Sequence, residues 1–136
     1  MKAGFFDTSA VLPLFVHEPR TQDAQTAYDA VDSIFAWSWM RVEAEAGLLR
    51  RRANALVWRE WRSWLRHVTW LDLEPTHLDA LCSFNRGLAL RAADAGHLYV
   101  LELALRAVPD MVLITFDGEM QKAAERLQMP VWASGP

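Results

Sequence analysis

Short apolar runs alternate with longer mixed segments along the whole chain. Residues 3–7 (AGFFD), 33–37 (SIFAW), 68–72 (VTWLD) and 111–116 (MVLITF) are rich in aromatic and β-branched side chains, which predicts buried strands. The intervening segments predict helices over roughly 20–31, 39–53, 55–66, 76–91, 94–107 and 119–127, with Met129 to Trp132 a weak last strand. This alternation implies an α/β architecture: a central parallel sheet of four to five strands flanked by helices. Pro75 and Pro109 punctuate helix and strand starts, and no repeat, low-complexity segment or Gly/Ser linker divides the chain. Residues 1–136 therefore read as a single domain.

Open parallel sheets bind ligands outside the carboxyl ends of their strands. Asp7 and Asp117 both fall there, each closing an apolar run. Singly, each acid has an ordinary explanation, because Asp accepts hydrogen bonds from the first N–H groups of a helix. Asp94, in RAADAGHL, is also placed to cap the helix that follows it. Glu43 lies one turn after Trp39 in SWMRVEAEAGLL, while Glu45 projects about 200° away around the same helix, so only one of them faces the preceding strand end.

Together these four acids sit where strand ends and helix starts can meet. Two carboxylates ~5 Å apart at an effective dielectric of about 20 repel by roughly 3 kcal/mol, so such a cluster calls for protons or a cation. All-oxygen ligands favour Mg²⁺ or Mn²⁺, whereas Zn²⁺ prefers the His and Cys clusters that the scattered His17, His67, His77 and His97 and the single Cys82 do not form.

With 52% hydrophobic residues the chain can fill one core, and the formal charge of -3 argues against coating nucleic acid by global charge. Basic character is local instead. Twelve of the fourteen cations are Arg, and Arg50, Arg51, Arg52, Arg59, Arg62 and Arg66 lie within seventeen residues opposed only by Glu60. One cysteine excludes an intrachain disulfide and fits a reducing compartment, so the cytoplasm is expected. Asp7 interrupts the first apolar run, and no uncharged stretch approaches the ~18 residues of a membrane span, so a soluble protein is expected.

FFDTSA, the Ser38 to Glu43 spacing, RAADAGHL and LITFD resemble, in order, the motifs of the PIN domain, particularly the VapC-type toxins of bacterial toxin-antitoxin operons. The resemblance spans essentially the whole chain and implies a PIN-like fold. It also implies that Asp7, Glu43, Asp94 and Asp117 are acidic metal ligands and catalytic residues, with Ser9 and Thr115 steadying them by hydrogen bonds. The implied chemistry is Mg²⁺- or Mn²⁺-dependent hydrolysis of RNA, leaving 5′-phosphate and 3′-hydroxyl ends, with a VapB-like antitoxin as partner and a homodimer as assembly.

Gly96 departs from the pattern, which more often has a bulky apolar residue there, and is expected to loosen the first turn of its helix. His97, three residues after Asp94, is read as a packing or hydrogen-bonding residue rather than a ligand.

Residues 48–67 read as two helices meeting near Ala53-Asn54, with Trp58, Trp61 and Leu65 on one face and Arg59, Arg62 and Arg66 on its neighbour. By resemblance, Trp58, Trp61 and Trp64 are expected to line an antitoxin groove, and Arg59, Arg62 and Arg66 to contact RNA phosphates. Two other readings compete. A phosphoaspartate phosphatase or receiver-like protein also puts Asp at a strand end, but the phosphatase needs a second Asp where Ser9 stands, and a receiver needs a strand-end Lys where Lys122 lies on a helix. The other is a non-catalytic RNA-binding protein that kept the fold.

Overall fold

A computed structural model describes residues 2–133. Strand β1 (Ala3–Phe6) leads through Asp7 into helix α1 (Thr8–Phe15), then α2 (Thr21–Asp29), β2 (Ser33–Trp37), α3 (Ser38–Arg50) and α4 (Ala55–Trp64). A 3-10 turn at Leu65–His67 precedes β3 (Val68–Leu71), and a second at Pro75–His77 precedes α5 (Leu78–Arg86). Helix α6 (Ala92–Ala107), strand β4 (Val112–Ile114) and helix α7 (Gly118–Arg126) complete the order.

The four strands form one parallel sheet in the order β3-β2-β1-β4, which puts the first strand of the chain at its centre. The weak last strand reduces to a single bridge between Val131 and Leu113 on the outer side of β4. Alternation along each strand divides the core. Phe6, Ile34, Ala36 and Ile114 face α1, α3 and α4 with Met40, Leu48, Trp61 and Trp64. Ala3, Phe5 and Leu113 face α6 and α7 with Leu98, Leu101, Met120 and Met129.

Helix α1 was not expected. Its sequence, TSAVLPLF, is apolar around most of its circumference and contains Pro13, so it shows no amphipathic period. It forms because Ala10, Val11 and Pro13 are buried between the sheet and α3. Gly47 allows the close approach, since a Cβ there would stand 2.7 Å from the Leu12 side chain.

Helix boundaries also differ. The expected helix at 76–91 is a 3-10 turn followed by α5, which ends at Arg86. Ala89 then takes a positive φ of 52°, which a continuing helix cannot use. Helix α6 starts at Ala92 rather than 94, so Asp94 lies within its first turn and Arg91 is the capping residue. The break near Ala53-Asn54 is present: Arg52 has a φ of 53°, and the Asn54 side chain accepts from the Val57 N–H at 3.0 Å.

Candidate functional site

Asp7 is buried just beyond β1, at the centre of the sheet. Its N–H donates to the Ile114 carbonyl at 3.2 Å, so the end of β1 is tied to the end of β4. Although Asp7 occupies the N-cap position of α1, its side chain makes no cap bond. Instead the Ser9 hydroxyl donates to Oδ1 at 2.7 Å and the Thr115 hydroxyl donates to Oδ2 at 3.0 Å. These two hydroxyls are themselves fixed, Ser9 Oγ by the Phe116 N–H and Thr115 Oγ1 by the Asp117 N–H. Asp117 is held in turn, because its Oδ1 accepts from the Met120 N–H and caps α7.

Glu43 approaches from α3. The Thr8 hydroxyl donates to its Oε1 at 2.8 Å, and His97 Nε2 lies 2.6 Å from the same oxygen. A carboxylate can only accept, so Nε2 carries the hydrogen. His97 is buried, its ring meets Trp37 edge-on at 5.1 Å, and its Nδ1 has no partner among the described residues. Glu45 points elsewhere, accepting from Trp61 Nε1 and Arg41 Nε, each at 3.0 Å. The two glutamates of α3 thus serve different surroundings.

The electrostatics tie the four acids together. Burial pushes the Asp7 carboxyl up to about 6, with the negative charge of Asp117 adding to it and His97, Ser9 and Thr115 opposing it. Asp94 is also raised, first by burial and then by the charges of Asp117 and Glu43. Burial pushes Glu43 up too, but the His97 hydrogen bond and charge and the Thr8 hydroxyl outweigh it and hold Glu43 below its ordinary value.

These acids share one end of the sheet, yet among the described residues no three Asp, Glu, His or Cys side chains stand close enough to form a ready-made metal cage. The donor chemistry nevertheless suits a hard cation: carboxylate oxygens, one pair of them on the buried Asp7, whose carboxyl burial raises to about 6. Mg²⁺ in particular keeps several waters and takes only one or two carboxylates directly, so it does not require a closed cage.

Other expected residues are placed differently. Trp61 and Trp64 are buried in the core, stacked at 5.5 Å, and Phe15 of α1 meets both edge-on. An accessible groove lined by Trp58, Trp61 and Trp64 is therefore corrected to a core cluster, on which Trp58 packs partly buried. Arg59, Arg62 and Arg66 are exposed, whereas Arg51 is engaged by Glu18 at 2.6 Å. Thr8 went unassigned, whereas the reading of His97 as a packing or hydrogen-bonding residue holds. The latter's spacing of three from Asp94 placed both on one helix face, but its partner lies 54 residues away.

Neither a family model nor a curated protein matches the sequence. Solved structures do. VapC20 of Mycobacterium tuberculosis, a sarcin-ricin loop cleaving toxin, superposes with a TM-score of 0.66 at 17% identity, covering 88% of this chain and 94% of that one. The fold is the PIN-like fold of VapC-type toxins. A toxin-antitoxin complex from Klebsiella pneumoniae shares this PIN-like fold with a TM-score of 0.62 at 16% identity, over 84% of this chain and 86% of that one. A protein of Pyrobaculum aerophilum gives 0.59 at 21% identity, over 90% and 86%. The PIN-like fold carries no described helix long and apolar enough to cross a membrane.

Proposed function

We propose that this protein is a Mg²⁺- or Mn²⁺-dependent endoribonuclease, the toxin of a toxin-antitoxin pair. What supports this reading is that Asp7 and Asp94 both feel the charge of Asp117, and Asp94 that of Glu43, with the buried Asp7 held at both oxygens by Ser9 and Thr115. The fold shared with an RNA-cleaving toxin supports it.

Asp7 contributes a carboxylate whose rotamer is fixed before any ligand arrives. Thr8 and His97 both engage Oε1 of Glu43, which aims Oε2. Asp94 and Asp117 are only partly buried, which leaves them open to a ligand. These are the residues that would hold the ion, which when bound supplies a water activated for attack and neutralises charge on the phosphodiester. No side-chain nucleophile is needed. A VapB-like antitoxin, a homodimeric assembly and a cytoplasmic location belong to the same proposal.

The test is cleavage of structured RNA by purified protein. Wild type is expected to cut with Mg²⁺ or Mn²⁺ and to stop in EDTA, while Asp7→Asn and Asp94→Asn fold but do not cut. Undiminished, EDTA-resistant cleavage by both variants would falsify the reading. A small adjacent reading frame whose product co-purifies with this chain would support the toxin assignment.

A further inference from the structure

Beside the acids lies an open cleft of about 610 Å³, lined mainly by apolar side chains, at the carboxyl ends of β2 and β3 and the start of α6. Its wall includes Trp37, Trp39, Leu73, Leu78 and Ala93. Two of its elements also carry candidate active-site acids: Ala93 directly precedes Asp94, and Ser38 opens the helix that bears Glu43. The wall between them is Trp37, whose ring touches His97 on the inner side and stands 6.3 Å from Trp39 on the outer.

Two large apolar side chains face solvent here, Trp39 at 47% and Leu78 at 54% exposure. A polar edge accompanies them, because the Ser38 hydroxyl donates to the exposed Asp72 carboxylate, which keeps further acceptor capacity. Arg91, exposed, precedes the cleft residues Ala92 and Ala93. A flat aromatic surface, a carboxylate at its edge and a cation close enough to Asp94 to act on its charge match the three parts of a nucleotide: base face, base amino groups and phosphate. An apolar peptide would use the first part alone.

The opposite flank of the acids offers no equal. There the Arg20 guanidinium already covers the Phe116 ring at 4.1 Å, and the hollow beside it measures about 110 Å³.

We propose that this cleft is a stacking subsite that takes one unpaired nucleobase of a single-stranded RNA segment on Trp39, next to the phosphate that the acids engage. The inference rests on the ribonuclease reading and names how that site selects substrate: a base already stacked in a duplex cannot enter, so loops and single strands are favoured.

The experiment measures binding of a fluorophore-labelled ten-nucleotide oligoadenylate, and of an abasic ribose-phosphate strand of equal length, by anisotropy in Ca²⁺, with strand integrity checked on a gel. Trp39→Ala is expected to weaken oligoadenylate binding by ~10-fold or more, as loss of one base–aromatic stack implies, and to leave the abasic strand unchanged. Trp39→Phe should restore most of the loss, and Leu78→Glu, on the same cleft, should reproduce it. Equal effects of Trp39→Ala on both strands, no effect on either, or no binding by wild type would overturn the subsite. So would a Trp39→Ala protein that keeps RNA affinity but releases a protein partner. Cleavage with Mn²⁺ is scored separately: Trp39-dependent binding without cleavage leaves the subsite standing and sinks the nuclease, whereas cleavage indifferent to Trp39 does the reverse.

Discussion

The Trp37 ring lies against Gly96 so closely that a Cβ at Gly96 would stand 2.4 Å from Cη2 and Cζ3 of the indole. Gly96 therefore does not loosen its helix, as the sequence suggested. It makes room for Trp37, which in turn backs His97, the residue 2.6 Å from Glu43. Gly96→Ala is expected to cost about 1–3 kcal/mol by overpacking, and Trp37→Phe should recover part of it. A double-mutant cycle by urea denaturation checks the coupling, and strictly additive effects would show that the two sites do not meet.

Glu43→Gln should abolish RNA cleavage and, by weakening the bonds from Thr8 and His97, cost about 1 kcal/mol or more. Glu45→Gln weakens the bonds from Trp61 and Arg41 and should cost about 1 kcal/mol too, while cleavage persists. Side-by-side cleavage rates and melting curves decide it; equal loss of activity would mean that Glu45 also serves the site.

Asp7 makes the metal-free protein pH-sensitive. Its carboxyl titrates at about 6 when folded, against an ordinary 3.8, so between those values the folded chain holds a proton that the unfolded chain has released. Stability from this group is therefore fully present below the lower value and falls as pH rises, by about 3 kcal/mol at most. In EDTA, Asp7→Asn should be more stable than wild type at pH 7.5 and nearly equal to it at pH 4. Adding Mn²⁺ at pH 7.5 should raise the wild-type melting temperature and leave the variant unmoved. A wild-type melting temperature in EDTA that climbs from pH 4 to pH 7 relative to Asp7→Asn would contradict this.

Trp64→Ala should destabilise the protein by about 3–5 kcal/mol, as expected for emptying a buried aromatic site. Arg59→Glu with Arg62→Glu, both exposed, should change stability by less than about 1 kcal/mol and weaken RNA binding more at low salt than at high. A mild Trp64→Ala would reopen the groove; salt-independent RNA binding in the charge-reversed protein would remove the arginines from the interface.

Much of this was legible in the chain. The run SIFAW became β2 over the same residues, and Asp7 follows directly on β1, whereas Asp117, read as closing a strand run, lies three residues beyond β4 as the cap of α7. What escaped has a shared cause. Helix α1 carries no polar stripe, so it went unseen, and with it Phe15, the ring against which Trp61 and Trp64 are buried. Without Phe15 the tryptophans looked surplus to one amphipathic helix and were assigned to a partner. The Glu43–His97 and Gly96–Trp37 pairs join residues 54 and 59 positions apart, distances over which no spacing rule acts.

The central position of β1 has a consequence for biosynthesis. Strand β1 is flanked by β4, which is synthesised much later, and Asp7 gains its Ile114 and Thr115 bonds only when residues 112–117 are present. A nascent chain short of Thr115 carries Asp7, Glu43 and Asp94 but lacks one of the two clamps on the buried acid and the whole of Asp117. For a protein proposed to cut RNA, synthesis beside messenger and ribosomal RNA is thereby separated from activity, because the site is completed only by Ile114, Thr115 and Asp117.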